Sequence, residues 1–152
     1  MSASPLHDTH VDARAAMRDF YGREVAGSYG DTASEYGAVR NGVALVDRSH
    51  NVRVEQSGAD ALDLLHRLTT NELLSLGESE ARPTVLTSER GRVVELFPVV
   101  RRTGKPLLLM AGAVSLSALI EGIDRFTIIE DSSLEDVTER TAQITLLGPD
   151  AG

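Results

Sequence analysis

The sequence has no cysteine, no tryptophan and one lysine among 152 residues. Without cysteine there is no disulfide scaffold, no Cys-ligated zinc or iron–sulfur centre and no thiol nucleophile. Aromatic residues make up 4% of the chain, too few to supply the stacking platforms that single-stranded nucleic acids use. Basic residues are also scarce: 15 Lys+Arg stand against 23 Asp+Glu, a net charge of −8. A field of that sign opposes non-specific attraction to phosphate backbones, so direct nucleic-acid binding is not expected. No apolar run approaches the roughly 20 residues of a membrane helix. The N-terminus has neither a basic start nor an apolar signal core, which predicts a cytoplasmic protein with no membrane partner.

What is present suits a folded domain. The chain is 41% apolar and 25% charged, and a chain of this length buries about 68–70% of its unfolded surface. Residues 1–6 are small and polar and are expected to be loose. Val11, Ala15, Ala16 and Phe20 recur near helical spacing, which predicts a helix over Asp8–Phe20 stopped by Gly22. Thr32 and Glu35 make a capping-box pair for a second helix, about Ala33 to Asn41. From Asn51 onward the pattern is strand (Val52, Val54 and Gln56 alternating with Arg53 and Glu55), helix (Ala61, Leu64, Leu65, Leu68), then strands over Pro83–Thr87, Arg92–Arg101 and Pro106–Met110. A helix over Val114–Phe126 and strands over Thr127–Ile129 and Thr141–Leu147 follow, the last two separated by an acidic loop, Glu130–Glu139. The order β-α-β-β-β-α-β predicts an α+β fold: a predominantly antiparallel sheet with two helices on one face, preceded by a helical N-terminal segment belonging to a second, incomplete domain. The expected boundaries are 1–50, 51–140 and 141–152, the last a strand returning to the first portion.

Three groups of residues could carry chemistry. His7, Asp8, His10 and Asp12 cluster but match no metal-ligand spacing, and are read as solvated helix-cap residues with no metal. Asp47, Ser49 and His50 contain the residue types of a hydrolase triad, but lie along one extended segment with no Gly-x-Ser-x-Gly elbow. They are read as a hydrogen-bonded junction. Glu95 stands inside the apolar strand Val93-Val94-Glu95-Leu96-Phe97, and on strict alternation shares a face with Val93 and Phe97. A carboxylate there reaches an edge, pairs with an arginine or lines a pocket; the residues alone leave these open.

The ordered set Ser4-Pro5-Leu6, His10, Tyr29-Gly30, Glu35-Tyr36-Gly37-Ala38-Val39-Arg40, Asp47-Arg48-Ser49-His50, Thr70-Asn71-Glu72, Gly91-Arg92-Val93-Val94 and Gly148-Pro149-Asp150-Ala151 resembles the N-terminal part of the glycine-cleavage T-protein superfamily. That superfamily comprises tetrahydrofolate-dependent aminomethyltransferases and folate-binding relatives, including the YgfZ-type proteins. The resemblance implies a fold that binds tetrahydrofolate, in a chain two to three times longer than this one. It places Glu95 where the aminomethyltransferases carry the first Asp of Gly-Gly-x-x-Asp-Asp, beside the folate nitrogen that accepts the one-carbon unit. By the same resemblance Asn51 stands where the family has a methionine that packs on the pterin, and Met110 near a family asparagine. Glu95 is therefore the candidate catalytic residue, and Glu95, Asn51 and Met110 the candidate folate-binding set.

These departures lead to a first reading as a YgfZ-like folate-binding protein, linked to one-carbon metabolism or to support of iron–sulfur enzymes and tRNA modification. A second reading is an aminomethyltransferase working with a lipoyl carrier protein. A third is a truncated, non-catalytic interaction module.

Overall fold

The structure is a computed structural model that describes residues 2–152. It divides into two compact units, residues 1–50 with 138–152, and residues 51–137. The second unit ends three residues before the expected 140. Beyond Val137, a 3-10 turn over Thr138–Arg140 belongs to the first unit, where Glu139 Oε1 lies 2.9 Å from Arg23.

The unit of residues 51–137 is built on a five-stranded antiparallel sheet. Its strands, numbered in chain order over the whole protein, are β5 (Val52–Ser57), β6 (Glu80–Thr87), β7 (Val93–Arg101), β8 (Leu107–Ala111) and β9 (Ser133–Asp136), ordered β6-β7-β8-β5-β9. Period-two alternation sends Val52 and Val54 to the same face as their cross-strand partners Ala111 and Leu109, joined there by Phe97 and Val99. Helices α3 (Ala61–Leu68) and α4 (Leu116–Asp124) close that face with Leu64, Leu65, Leu119 and Ile123, all with no exposed surface. Leu73 and Leu76 complete an apolar core that excludes water. The opposite face carries Leu96, Pro98, Val100, Leu108 and Met110 beside Arg53 and Glu55.

Two expectations for this unit are corrected. Thr127–Ile129 forms no strand. The backbone N–H groups of Ile128 and Ile129 both donate to the Glu130 carboxylate, which folds the segment into a turn and leaves the isoleucine side chains 83% and 91% exposed. The strand instead lies inside the expected acidic loop. β9 buries Leu134 against the core and shows Ser133, Glu135 and Asp136 to solvent, as a charged edge strand does.

The other unit starts with β1 (Ser2–Ala3), α1 (His7–Asp12), β2 (Ala16–Phe20), β3 (Arg23–Ser28), α2 (Thr32–Asn41) and β4 (Ala44–Asp47), and ends with β10 (Ile144–Leu147). β1, β3 and β2 make one sheet and β10 and β4 an antiparallel ribbon. Of the expected helix over Asp8–Phe20 only the first five residues are helical, in α1 (His7–Asp12). Arg14 takes a left-handed φ of 58° that ends α1, and β2 pairs with β3 through the two-residue turn Tyr21-Gly22, with φ of 53° and 78°. Two consecutive positive φ values define the tight hairpin turn whose twist matches the strands. Gly22 therefore makes a hairpin, where the sequence suggested a helix stop. The expected loose start is also corrected from Ser2 onward, since β1 pairs with β3 and Ser4 is buried; Met1 lies outside the described residues. Helix α2 is capped by Asp31, which accepts from the N–H groups of Ala33 and Ser34, while Glu35 takes the Tyr29 N–H. The Thr32–Glu35 capping box is not formed.

Candidate functional site

β5 begins, β8 ends and β7 begins at one end of the five-stranded sheet, where the three residues singled out by resemblance lie, but not on one face: Glu95 shares the face of Phe97, while Met110 is on the opposite face with Arg53 and Leu96. Asn51 immediately precedes β5, Met110 is the cross-strand partner of Arg53, and Glu95 is the third residue of β7. The start of β7 does not alternate strictly. Thr87 pairs with Val93 and Leu86 with Glu95, so Val94 is an extra residue, a bulge that re-aims the strand. As a result Val93 is 68% exposed although Phe97 is fully buried, correcting the shared face that alternation predicts. Glu95 is half-buried, and its Oε1 accepts a long hydrogen bond of 3.4 Å from the Gly112 N–H. A Cβ at Gly112 would crowd Ser115 Oγ at 3.3 Å and make ordinary contact with Glu95 Oε1 at 3.7 Å.

Arg53 alternates with the core residues Val52 and Val54 along β5. It is buried, and its guanidinium donates to the Asn51 carbonyl at 2.7 Å. The strand pattern carried no sign of that, because a charged residue on a half-buried strand ordinarily faces water. Glu55 on the same face pairs with Arg102 at 2.7 Å. A cleft of about 550 Å³ opens at the other end of the sheet, lined by Gln56, Arg101, Arg102 and Lys105. Glu95, Asn51 and Met110 are not among its lining residues.

The unit of residues 1–50 and 138–152 carries a different arrangement. Asp47 accepts from Ser4 Oγ at 2.7 Å and from the Ser49 N–H at 2.7 Å, and lies 2.7 Å from His10 Nε2. His10 Nδ1 is 2.5 Å from the Tyr29 hydroxyl. An ionised carboxylate only accepts, so Nε2 carries the proton toward Asp47, and in the neutral ring Nδ1 accepts from the Tyr29 O–H. Ser49 Oγ accepts the Gln143 N–H, tying β10 to the network. Burial pushes the Asp47 carboxyl up, but the hydrogen bonds from Ser49, His10 and Ser4 outweigh it and hold the group below its ordinary value. Burial raises Tyr29, and the Asp47 and Glu35 carboxylates raise it further. His50, by contrast, packs edge-on against Phe20, and burial with the neighbouring Arg48 lowers it.

Asp47 is thus joined to a histidine 37 residues away and not to His50. His10 is 3% exposed, which corrects its reading as a solvated cap residue. Local spacing carries no signal for partners at such separations. Among the described residues no three His, Asp or Glu side chains come together as a metal-binding group. No helix among them is long and apolar enough to cross a membrane.

An antiparallel α+β domain with a bulge-borne carboxylate at one sheet end, inserted into a second unit formed from both chain termini, defines the class of fold. The chain belongs to the GCVT N-terminal domain family, whose model matches residues 6–152. It is 33% identical over 148 residues to an aminomethyltransferase of Shouchella clausii, covering 97% of this chain and 40% of that protein. It is 33% identical over 150 residues to a probable aminomethyltransferase of Natronomonas pharaonis, covering 97% and 42%. The glycine cleavage system aminomethyltransferase T of Bartonella henselae superposes with a TM-score of 0.86 at 20% identity, over 99% of this chain and 41% of that one. The chain therefore spans about two fifths of the length of the relatives it matches. These relatives bear out the T-protein resemblance and are named as aminomethyltransferases, which favours the second reading over the YgfZ-like one.

Proposed function

We propose that the chain forms part of a tetrahydrofolate-dependent aminomethyltransferase, with Glu95 as the acidic group beside the reacting folate nitrogen. The observation that carries this reading is the state of Glu95. Its carboxylate sits half-buried at a bulge on one sheet end, and among the described residues a single 3.4 Å bond from Gly112 is what it accepts. An ionised carboxylate has about four acceptor sites, so most of the hydrogen-bonding capacity of Glu95 is left for a ligand. Glu95 suits a reduced folate because it offers an acceptor to ring N–H donors.

When bound, tetrahydrofolate supplies the nucleophilic nitrogen that takes up the one-carbon unit. Glu95 orients that nitrogen and stabilises positive charge that develops there. The glutamate is one methylene longer than the aspartate the superfamily carries at this position, and the Gly112 contact braces that longer arm. The lipoyl carrier protein of an aminomethyl donor is the partner this reading requires.

Calorimetric titration with tetrahydrofolate, followed by an assay for methylene-tetrahydrofolate in the presence of an aminomethyl-lipoyl donor, tests the reading. Saturable binding and product formation are expected. A chain that binds no folate rules out the folate role, and one that binds it without transfer returns the YgfZ-like reading.

A further inference from the structure

The cleft of about 550 Å³ at the far end of the sheet from Glu95 plays no part in the folate reading, and its charge runs against that of the molecule. The chain carries a net −8. Yet Arg101, Arg102 and Lys105 all line this cleft, and Glu78 is the one carboxylate among its lining residues. We propose that the cleft binds a small hydroxylated phosphate monoester, with the phosphate held between the Arg101–Lys105 hairpin and the start of α3.

Two of the three cations are free to meet an anion. Arg102 is committed to Glu55 at 2.7 Å and to the Pro106 carbonyl at 2.9 Å. Arg101 donates Nη1 to the Leu76 carbonyl at 2.7 Å, which steadies its guanidinium, and makes no ion pair among the described residues. Lys105, the one lysine of the chain, is exposed at the hairpin and its ammonium makes none either. Glu78 accepts from Thr103 Oγ1 at 3.1 Å.

Helix α3 faces the same space from a second element. Its first two residues, Ala61 and Leu62, line the cleft. A helix N-terminus presents N–H groups and partial positive charge, and no side chain caps this one: Asp60 turns its carboxylate to the Asp131 N–H at 2.9 Å instead. Guanidinium, ammonium and backbone donors thus come from two elements. The three oxygens of a phosphate can take up such a set in several directions, where a planar carboxylate has two.

Gln56 bears on the rest of the ligand. It lines the cleft and is 1% exposed; its Nε2 donates to Ser132 Oγ at 2.9 Å, and its Oε1 accepts no hydrogen bond among the described residues. A buried acceptor without a donor is costly, and a hydroxyl on the carbon chain beside the phosphate supplies that donor. Leu62, Pro106 and Leu107 form the apolar wall for the chain itself.

Calorimetric titration of the whole chain, in buffer free of phosphate, with glycerol 3-phosphate, n-propyl phosphate and glycerate tests each part. The second probe lacks the hydroxyls, and the third carries a carboxylate in place of the phosphate. Saturable glycerol 3-phosphate binding, at least fivefold tighter than that of either other probe, is expected. Mass spectrometry after brief treatment with acetic anhydride locates the site, because Lys105 is the one lysine: glycerol 3-phosphate should slow its acetylation at least threefold. Lys105→Gln changes an exposed side chain and should weaken binding at least fivefold. Absence of saturable binding, equal affinity for n-propyl phosphate or glycerate, unprotected Lys105, or full affinity in Lys105→Gln overturns the proposal. None of these readouts involves Glu95, so the outcome is independent of the folate reading.

Discussion

The two units solve the problem of stability by opposite means. Residues 51–137 surround a closed apolar core, with Phe97, Leu64, Leu109, Leu119 and Ile123 all withdrawn from water. Among the described residues of the unit of residues 1–50 and 138–152, Val25 is the one buried apolar side chain, and Ser4, His10, Ser49 and Thr138 are the buried polar ones. There the apolar residues of β4 and β10 lie open instead: Leu45, Ile144 and Leu146 are each about half-exposed. A packed core gains from non-directional burial, so each residue contributes by area. A polar network gains little net from each bond but loses much when one partner is removed, because a charged or polar group is left without compensation. One unit should therefore tolerate polar changes and fail on volume changes, and the other the reverse.

The largest expected effect is Phe97→Ala, which removes a wholly buried aromatic from the centre of the sheet and should cost about 3–5 kcal/mol. Denaturant unfolding, followed by hydrogen exchange at β7 and β8, reads that loss in residues 51–137. His10→Ala comes next. It strips Asp47 and Tyr29 of a shared partner, and although Ser4 and Ser49 still hold the carboxylate, about 2–3 kcal/mol should be lost. Exchange at β3 and β4 should report it, and a loss below about 0.5 kcal/mol would mean the network does not stabilise its unit.

A smaller effect is pH-dependent. The Arg67 guanidinium, with the N–H groups around Glu130, holds the Glu130 carboxyl down to about 2. A depressed carboxyl contributes its stability fully above its unfolded value and loses it as pH falls through the folded one. Glu130→Gln should therefore flatten the acid side of the stability profile of residues 51–137, from the ordinary carboxylate range down to about pH 2. Thermal melts across that range check it; parallel profiles would remove Glu130 from the account. Smallest of all is Leu146→Ser on the open ribbon, expected to change stability by no more than about 0.5 kcal/mol.

The same contrast governs what could be read before the structure. In residues 51–137 the core is local and periodic: Leu64, Leu65 and Leu68 mark a helix face, and Val52 and Val54 a strand face, so the element order and the antiparallel α+β class were legible. What escaped was a device that breaks period, the Val94 bulge, and a turn built by one side chain, Glu130, that pre-empts the strand expected at Thr127–Ile129. In the other unit the determinants are long-range. Asp47, His10 and Tyr29 meet across 37 and 19 residues of chain, and no local spacing announces that meeting. Ala16 and Phe20 fit a helical stripe as well as a hairpin, and only the positive φ of Tyr21 and Gly22 separates the two. The position of Glu95 was legible through family resemblance; its half-burial and its Gly112 contact come from the fold.

The central functional claim rests on that one carboxylate. Tetrahydrofolate affinity measured by calorimetry on the unaltered chain and on Glu95→Gln, which keeps the shape and removes the charge, tests it directly. Saturable binding that weakens at least tenfold in the variant is expected. Equal affinities in two folded proteins would contradict it.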